Sequence, residues 1–216
     1  MRPDAKICYH SPHEAMPTVP ASAPFGAEYF DRFYESKATR VYGEREIARL
    51  ARGVTGMIGW LGGDLHAVLD VGAGSGLWRD WFAAHKPSVR YRSTDVSAYA
   101  CERYGHEQRD ITRWRARERF DLVVCQGVLQ YLGDDDAERA IDNIAAMCRG
   151  FLYLEVVTAR DLREACDTTR TDVAVHARAG SWYRARLGKH FTTLGCGLHY
   201  WKSGPLVFYE LEKATP

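Results

Sequence analysis

Apolar and polar residues alternate along the middle of the chain with two different periods. Short apolar runs predict buried strands, in AVLDV (67–71), within VRYRSTDV (89–96), and in RFDLVVCQ (119–126) and FLYLEVVT (151–158). The stretches between them are amphipathic and predict helices, in LWRDWFAAH, in SAYACERYG and over residues 134–149. Strands that alternate with helices indicate βαβ units, hence a parallel sheet with helices on both faces.

The two flanks of this alternating core have patterns of their own. Upstream, residues 26–61 predict two helices broken around Val41–Gly43, and Gly62–Gly63 would end the second helix. Downstream, residues 159–180 are polar and irregular, and SWYRARLGKH predicts a helix. FTTLGCGLHYW and PLVFYELE then predict two long strands joined by Lys202–Gly204, so we expect the sheet to end in an antiparallel pair.

Composition narrows the class of protein. A length of 216 residues with 46% hydrophobic residues fits one globular domain, and a net charge of +1 indicates no general attraction to nucleic acid or anionic lipid. No apolar run is long enough to span a membrane. Five of the eight prolines fall within residues 1–24, which predicts a flexible N-terminal arm. The six cysteines lack Cys-x-x-Cys spacing, so we expect a reducing, cytoplasmic location and no metal site.

The strongest chemical signal is VLDVGAGSGLW, residues 68–78, where a strand enters a glycine-rich turn and then a helix. Glycines in such a turn permit positive φ and allow a ligand to approach bare backbone, while the helix N-terminus offers free N–H groups. In the dinucleotide fingerprint G-x-G-x-x-G, the third glycine would fall at Leu77. Here the third glycine is Gly76, and Asp70 stands two residues before the turn, so the spacing disfavours a nicotinamide dinucleotide.

This acid-x-G-x-G-x-G pattern resembles the first motif of class I S-adenosylmethionine-dependent methyltransferases, and the similarity extends over about residues 26–213. The resemblance implies a Rossmann-like α/β fold with a seven-stranded, mostly parallel sheet, one antiparallel strand, helices on both faces and an N-terminal helical lid. It also implies S-adenosyl-L-methionine as the cofactor and Tyr29, in AEYFDRFY, as a contact of the cofactor carboxylate. We expect residues 25–216 to form a single methyltransferase domain, with lid elements 26–61 and 159–183.

Further site residues follow from the same resemblance. Asp95, at the end of the second strand, would accept both ribose hydroxyls, since one carboxylate can accept a fork of hydrogen bonds. Asp110 would bind the adenine amine beside Ile111, and Cys125 and Gln126 would face the methionine end from the fourth strand. The complete set of implied cofactor contacts is Tyr29, Asp70, Gly72, Ala73, Gly74, Gly76, Asp95, Val96, Asp110, Ile111, Cys125 and Gln126.

Four side chains are candidates for a base that activates the methyl acceptor, namely His176, His190, His199 and Tyr131. His176 lies in the irregular segment after the fifth strand, and ligands of open α/β sheets bind beyond the carboxyl ends of strands. We predict His176 and Tyr131 as the catalytic residues. Two motifs of related enzymes are missing: the Asn-Pro-Pro-Tyr type tetrad of nucleic-acid amino methylation, replaced by Cys125–Val128, and the acidic metal set of catechol methylation.

The sequence therefore predicts a methyltransferase that acts on oxygen or nitrogen of a small molecule, without nucleic acid or membrane, as a monomer or homodimer. Three alternatives stay open. The chain could be a non-catalytic S-adenosylmethionine-binding regulator or partner subunit, a nicotinamide oxidoreductase, or a metalloid methyltransferase that needs about three converging cysteines. The five arginines of RDITRWRARER fit a solvated helix face better than a nucleic-acid patch.

Overall fold

A computed structural model describes residues 25–210 of the chain. The predicted arm, residues 1–24, lies outside the described residues, as do residues 211–216. The helices are α1 (Ala27–Phe30), continued by a π-helical turn (Asp31–Glu35), α2 (Glu44–Trp60), α3 (Leu77–His85), α4 (Ala98–Tyr104), a 3₁₀ turn (Leu129–Tyr131), α5 (Asp134–Met147), α6 (Ala159–Glu164) and α7 (Gly180–Leu187). The strands are β1 (Ala67–Val71), β2 (Arg90–Asp95), β3 (Glu107–Gln108), β4 (Phe120–Gln126), β5 (Cys148–Glu155), β6 (Phe191–Gly195) and β7 (Leu198–Trp201).

Within the described residues, the seven strands form one sheet in the order β3-β2-β1-β4-β5-β7-β6. Strand β7 runs antiparallel to both of its neighbours, and the other pairings are parallel. This confirms the predicted fold class. The strand order reverses between β1 and β4, and Val71 at the end of β1 pairs with both Thr94 and Cys125. Strands β1, β2 and β4 therefore end at the same edge, at the switch point where open α/β sheets bind ligands.

Each face of the sheet is covered by helices, which creates two hydrophobic cores. On one face, α2 and α3 pack Ile58 and Phe82 against β1 and β4. On the other face, α5 and α7 contribute Ile144 and Leu187. All five residues of β1 are buried because the strand lies between these layers, which explains its nearly continuous apolar sequence. Among the described residues, every helix is too short or too polar to cross a membrane.

The predicted C-terminal hairpin is placed wrongly. Its turn is Gly195–Gly197, inside the segment assigned to one long strand, and residues 205–210 form no strand. All three turn residues have positive φ, of 109°, 49° and 77°, and a Cβ at Gly197 would lie 2.8 Å from the carbonyl oxygen of Leu154. The apolar pattern continues through LGCGL and therefore predicts a single strand. The turn follows instead from the backbone conformation of these residues and from what packs against them.

The flanking helices are largely as expected, with two corrections. The break between the N-terminal helices and the end of α2 before Gly62, whose φ is 83°, are confirmed. The segment predicted to be irregular after β5 contains α6, because Thr158 and Asp161 form a reciprocal capping box at its start. Helix α5 stops at Met147, since Cys148 already pairs with Phe120 as the first residue of β5.

Candidate active site

A cavity of about 90 Å³ lies over the switch point, at the carboxyl ends of β1, β2 and β4. Its floor is formed by the residues that directly follow or end these strands. The floor residues are Val71, Gly72, Asp95, Val96, Gly127 and Val128. One side wall consists of Arg109–Ile111, and the opposite wall of Tyr131 and Leu132. The cover is aromatic and consists of Phe25, Tyr29, Phe30 and Tyr34, from the start of the described chain.

The glycine-rich turn after β1 is packed too tightly for a side chain at Gly72 or Gly74. Gly72, Gly74 and Gly76 have φ of 69°, 59° and 79°, in the left-handed region that glycine favours. A Cβ at Gly72 would lie 2.3 Å from Cγ2 of Val128, and one at Gly74 would lie 2.8 Å from Cε1 of Tyr34. Gly72 lines the cavity, whereas Ala73, Gly74 and Gly76 support it from behind. The glycines in the sequence thus mark positions where neighbouring side chains lie so close to the backbone that no Cβ fits.

Asp95 brings a buried carboxylate to the cavity. Its side chain is only 8% exposed in total, yet it belongs to the cavity floor. Oδ2 accepts the N–H of Gly74 at 3.0 Å, and Oδ1 accepts the N–H of Ser97 at 2.9 Å. A carboxylate offers about four acceptor positions, so these two bonds fix its orientation and leave acceptor capacity for a ligand.

Asp110 forms the second acidic group of the cavity. Its Oδ1 accepts both the N–H and the hydroxyl of Thr112, at 2.9 and 2.7 Å. Its Oδ2 lies 3.7 Å from Nε of the exposed Arg113, in a surface ion pair. Ile111 and Val96 provide apolar surface beside it. The structure therefore brings together two carboxylates and an apolar slot, as predicted from the sequence.

The aromatic cover is held together by hydroxyl and ring contacts. The hydroxyls of Tyr29 and Tyr131 lie 2.9 Å apart, and the ring of Phe25 meets both rings edge-on at 5.1 Å. Tyr34 packs against Gly74 and stacks on Phe30 at 4.9 Å. Tyr34 was missed because the π-helical turn places residues five positions apart on one face, whereas an α-helical reading pairs residues three or four apart.

Two residues of the predicted cofactor set lie inside the sheet and do not line the cavity. Asp70 is buried and accepts the hydroxyl of Tyr91 at 2.7 Å. Burial raises the pKa of the Asp70 carboxyl to about 7, although the Tyr91 hydrogen bond opposes this shift. Cys125 is completely buried, which raises the pKa of its thiol well above the usual range. In the register of β1 and β4, Asp70 pairs with Val124 and Cys125 with Val71, so the two side chains lie on opposite faces of the sheet, and each is buried there.

Gln126 also points away from the cavity and joins a polar cluster at the ends of β4 and β5. Its amide oxygen accepts the indole N–H of Trp78 at 2.8 Å, and its amide nitrogen lies 3.3 Å from Oε1 of Glu155. Glu155 also accepts the hydroxyls of Tyr42 and Tyr153, at 2.8 and 3.0 Å. The residues that follow Gln126, Gly127 and Val128, line the cavity instead.

Of the candidate bases, the structure brings only Tyr131 into the cavity wall. Burial raises the pKa of the Tyr131 hydroxyl well above its usual value of 10. A protonated hydroxyl donates a hydrogen bond and does not abstract a proton at neutral pH. The geometry therefore suits Tyr131 to orientation of an acceptor.

The three histidines lie elsewhere. His176 is exposed, and its backbone N–H donates to the carbonyl of Gln130 at 2.8 Å, so it sits behind the Tyr131 wall. His190 pairs with Asp142 at 2.8 Å on the surface of α5. His199 is buried in β7, and burial lowers its pKa to about 4. No residue of 159–183 is among the described residues that line the cavity, although this segment packs against the loop that carries Tyr131.

No cluster of three or more His, Cys, Asp or Glu residues that could hold a metal occurs within the part of the chain that the structure describes. The predicted residues that line the cavity are Tyr29, Gly72, Asp95, Val96, Asp110, Ile111 and Tyr131. Sequence reasoning placed Val128 at the tip of the fourth strand, but it missed the other aromatic residues of the cover and Val71, Arg109, Gly127 and Leu132. Their aromatic and basic character was visible in the sequence, but nothing in its periodicity connects them to the glycine turn.

Known proteins that resemble this chain in sequence or in fold include methyltransferases. Residues 69–150 match the family model described as a methyltransferase domain, and no curated protein matches the sequence. Solved structures match with low identity. The N-methyltransferase NodS from Bradyrhizobium japonicum WM9, in complex with S-adenosyl-L-homocysteine, has 21% identity and a TM-score of 0.52, over 74% of this chain and 87% of that chain. An S-adenosylmethionine-dependent methyltransferase from Clostridium acetobutylicum ATCC 824 has 12% identity and a TM-score of 0.59, over 82% and 97%.

A third structure, magnesium protoporphyrin IX methyltransferase from Synechocystis PCC 6803 with bound S-adenosylhomocysteine, has 17% identity and a TM-score of 0.53, over 78% of this chain and 86% of that chain. Identities this low show that the fold is shared. The family-model match covers most of β1, the glycine turn, Asp95, Asp110 and β4, which build the floor and one side wall of the cavity. By sequence over residues 69–150, and by fold over most of its length, the chain is therefore similar to S-adenosylmethionine-dependent methyltransferases.

Proposed function

We propose that this enzyme binds S-adenosylmethionine in the cavity over β1, β2 and β4 and methylates an oxygen or nitrogen atom of a small molecule. The observation that carries the proposal is the convergence of Asp95, Asp110 and the tightly packed Gly72 turn on one cavity. S-adenosylmethionine, when bound, supplies a methyl group activated by a sulfonium. The residues of this chain then have to bind the cofactor, orient the acceptor and exclude water from the cavity.

The residues present fit the polar and apolar parts of that cofactor. Asp95 has free acceptor capacity for the two ribose hydroxyls, and its orientation is already fixed by backbone N–H groups. Asp110 is placed to accept the adenine amine, with Val96 and Ile111 along the ring. The turn at Gly72 brings bare backbone to the cavity. Gly74, Ala73, Gly76, Asp70, Cys125 and Gln126 act behind this surface and hold its shape.

The aromatic cover acts as a lid in this proposal. The cavity of about 90 Å³ is smaller than the roughly 300–1,000 Å³ of sites for drug-sized ligands. Entry of the cofactor therefore requires Phe25, Tyr29 and Tyr34 to move outward, and their return would exclude water. Only residues 25–43 can move in this way, since α2 is anchored in the core through Ile47 and Ile58.

Catalysis rests mainly on orientation, which contributes much of the acceleration when reacting atoms are held in line. Tyr29 and Tyr131 line the cavity, and their hydroxyls, which lie 2.9 Å apart, could donate to an acceptor oxygen or nitrogen. His176 can act as a base only after segment 159–183 has moved towards the cavity. An acceptor that needs no strong base, such as a neutral amine, therefore suits this wall best.

Surface charge supports a small-molecule acceptor. Three of the five arginines in residues 109–119, namely Arg109, Arg113 and Arg119, pair with a carboxylate or lie over an aromatic ring. Arg109 pairs with Glu107 at 3.3 Å, and Arg119 lies 4.2 Å from the centre of the Trp201 ring. A patch of this kind offers few free charges to a phosphate backbone. We propose a cytoplasmic monomer or homodimer without a nucleic-acid or membrane partner.

Calorimetric titration tests the cofactor, and mass spectrometry tests the acceptor. We expect S-adenosylmethionine and S-adenosylhomocysteine to bind at micromolar level, with NAD and NADP at least about tenfold weaker, or about 1.4 kcal/mol. A metabolite screen with isotopically labelled S-adenosylmethionine should yield a labelled small molecule. NAD binding of equal or higher affinity would refute the proposal, as would methylation of nucleic acid alone.

A further inference from the structure

A buried histidine lies directly behind the glycine turn and has no part in the site described so far. His106 follows α4 and is only 7% exposed. Its Nε2 lies 3.0 Å from the carbonyl oxygen of Gly74, and its Nδ1 lies 2.9 Å from the hydroxyl of Ser93 on β2. A carbonyl oxygen can only accept, so Nε2 carries the proton and donates it to Gly74. In the neutral ring, Nδ1 then accepts the hydroxyl of Ser93.

Gly74 is consequently held at both ends of the residue. Its carbonyl accepts from His106, and its N–H donates to the carboxylate of Asp95. The backbone of Gly74 has φ of 59°, and Tyr34 covers its open side. A free glycine in a turn samples many conformations, so hydrogen bonds on the two peptide units that flank its Cα restrict the turn strongly.

We propose that His106 is a positioning residue for the cofactor. It holds the carbonyl of Gly74 so that the N–H of the same residue stays directed at Asp95, which orients the carboxylate towards the ribose. The inference rests on the proposed function, since it assumes that Asp95 and the glycine turn bind S-adenosylmethionine. Burial also keeps the ring neutral by lowering the pKa of His106 below its usual value.

Two amide substitutions separate the two hydrogen bonds of the ring. In His106→Gln the side-chain nitrogen reaches about as far as Nε2, so the bond to Gly74 can be kept. In His106→Asn the amide is one carbon shorter and reaches only towards Ser93, so the bond to Gly74 is lost. The two variants are otherwise similar in polarity and size.

Calorimetry with S-adenosylhomocysteine, together with thermal unfolding, measures the outcome. We expect His106→Asn to weaken binding about tenfold and His106→Gln to stay within about threefold of the unaltered protein. The same two substitutions at His66, which is exposed, serve as controls and should leave binding unchanged. In steady-state assays, KM for S-adenosylmethionine should rise in His106→Asn while kcat at saturation stays within about twofold.

The outcomes distinguish this inference from the proposed function. If the unaltered protein does not bind S-adenosylhomocysteine, the proposed function fails. If it binds and both His106 variants bind equally well, the role of His106 fails and the proposed function stands. If both variants lose affinity to the same extent as they lose thermal stability, His106 is only a core residue and the inference is overturned. Should His106→Asn not fold, weak binding by a folded His106→Gln would also overturn it.

Discussion

The cavity floor and the aromatic cover are built in different ways. On the floor, Gly72 and Asp95 come from strand ends whose positions are fixed by the register of β1 and β2. Tyr29 of the cover and Tyr131 of the wall below it are 102 residues apart in the sequence and meet only through their side chains. Backbone hydrogen bonds therefore position the floor, and side-chain packing positions the cover. Changes to the floor should affect stability and cofactor binding, whereas changes to the cover should affect turnover.

The largest effect is expected at Gly72. In Gly72→Ala the new Cβ combines left-handed backbone with a clash against Val128, which should lower the free energy of unfolding by about 2–5 kcal/mol. Urea unfolding measures this, and binding of S-adenosylhomocysteine should be lost as well. Gly53→Ala on α2 is the control, because nothing lies within 4 Å of its added Cβ. That variant should be neutral or slightly stabilising, and an equal loss in both would contradict a role for close packing.

Asp95 should be the next most sensitive position. Asp95→Ala removes the acceptor of the ribose hydroxyls and of the Gly74 N–H, and should weaken cofactor binding by about 2–4 kcal/mol in a folded protein. Calorimetry gives the affinity, and circular dichroism gives the fold. Asp80→Ala on α3 is a suitable control because its exposed carboxylate lies outside the cavity and forms a surface ion pair with Arg79. Unchanged affinity in a folded Asp95→Ala would remove this residue from the binding site.

A smaller effect that separates floor from cover is expected at Tyr131. Tyr131→Phe removes one hydroxyl of the pair, and kcat should fall about tenfold while cofactor affinity changes less than about twofold. Tyr183→Phe, whose buried hydroxyl contacts Arg178 at 3.0 Å outside the cavity, is the matched control. Weaker cofactor binding with unchanged kcat would show instead that Tyr131 contributes to cofactor binding, as the floor residues do.

The pH dependence sharpens the same assignment. Burial raises the pKa of Tyr131 above 10, so its hydroxyl stays protonated over the neutral and mildly alkaline range. The turnover rate should therefore not rise between about pH 8 and 10 through this group. A rate that increases about tenfold per pH unit and disappears in Tyr131→Phe would show that tyrosinate is the base.

The smallest expected effect concerns motion of the lid. S-adenosylhomocysteine should slow amide hydrogen exchange in residues 25–43 several-fold and leave α5 nearly unchanged. Mass spectrometry of proteolytic fragments provides the comparison within a single experiment. Equal protection of both segments would indicate general stabilisation by ligand without lid closure.

Much of the fold was predictable because its signals are local. The strand and helix of VLDVGAGSGLW appear where the sequence places them, and the alternating core from β1 to β5 follows the apolar pattern. The C-terminal hairpin was not predictable in this way, because the turn at Gly195–Gly197 interrupts a continuous apolar run. Backbone conformation at a turn depends on what packs against it, here the carbonyl of Leu154.

The sequence by itself determined the class of fold, the glycine turn and the two acids of the cavity, because residues that end parallel strands lie at the same edge of the sheet. Only the tertiary structure decided which of the predicted residues face the ligand. Asp70 and Cys125 are buried within the sheet, Gln126 joins the polar cluster with Trp78 and Glu155, and the π-helical turn brings Tyr34 into the cavity. Such orientations depend on contacts between distant parts of the chain, which no local spacing records.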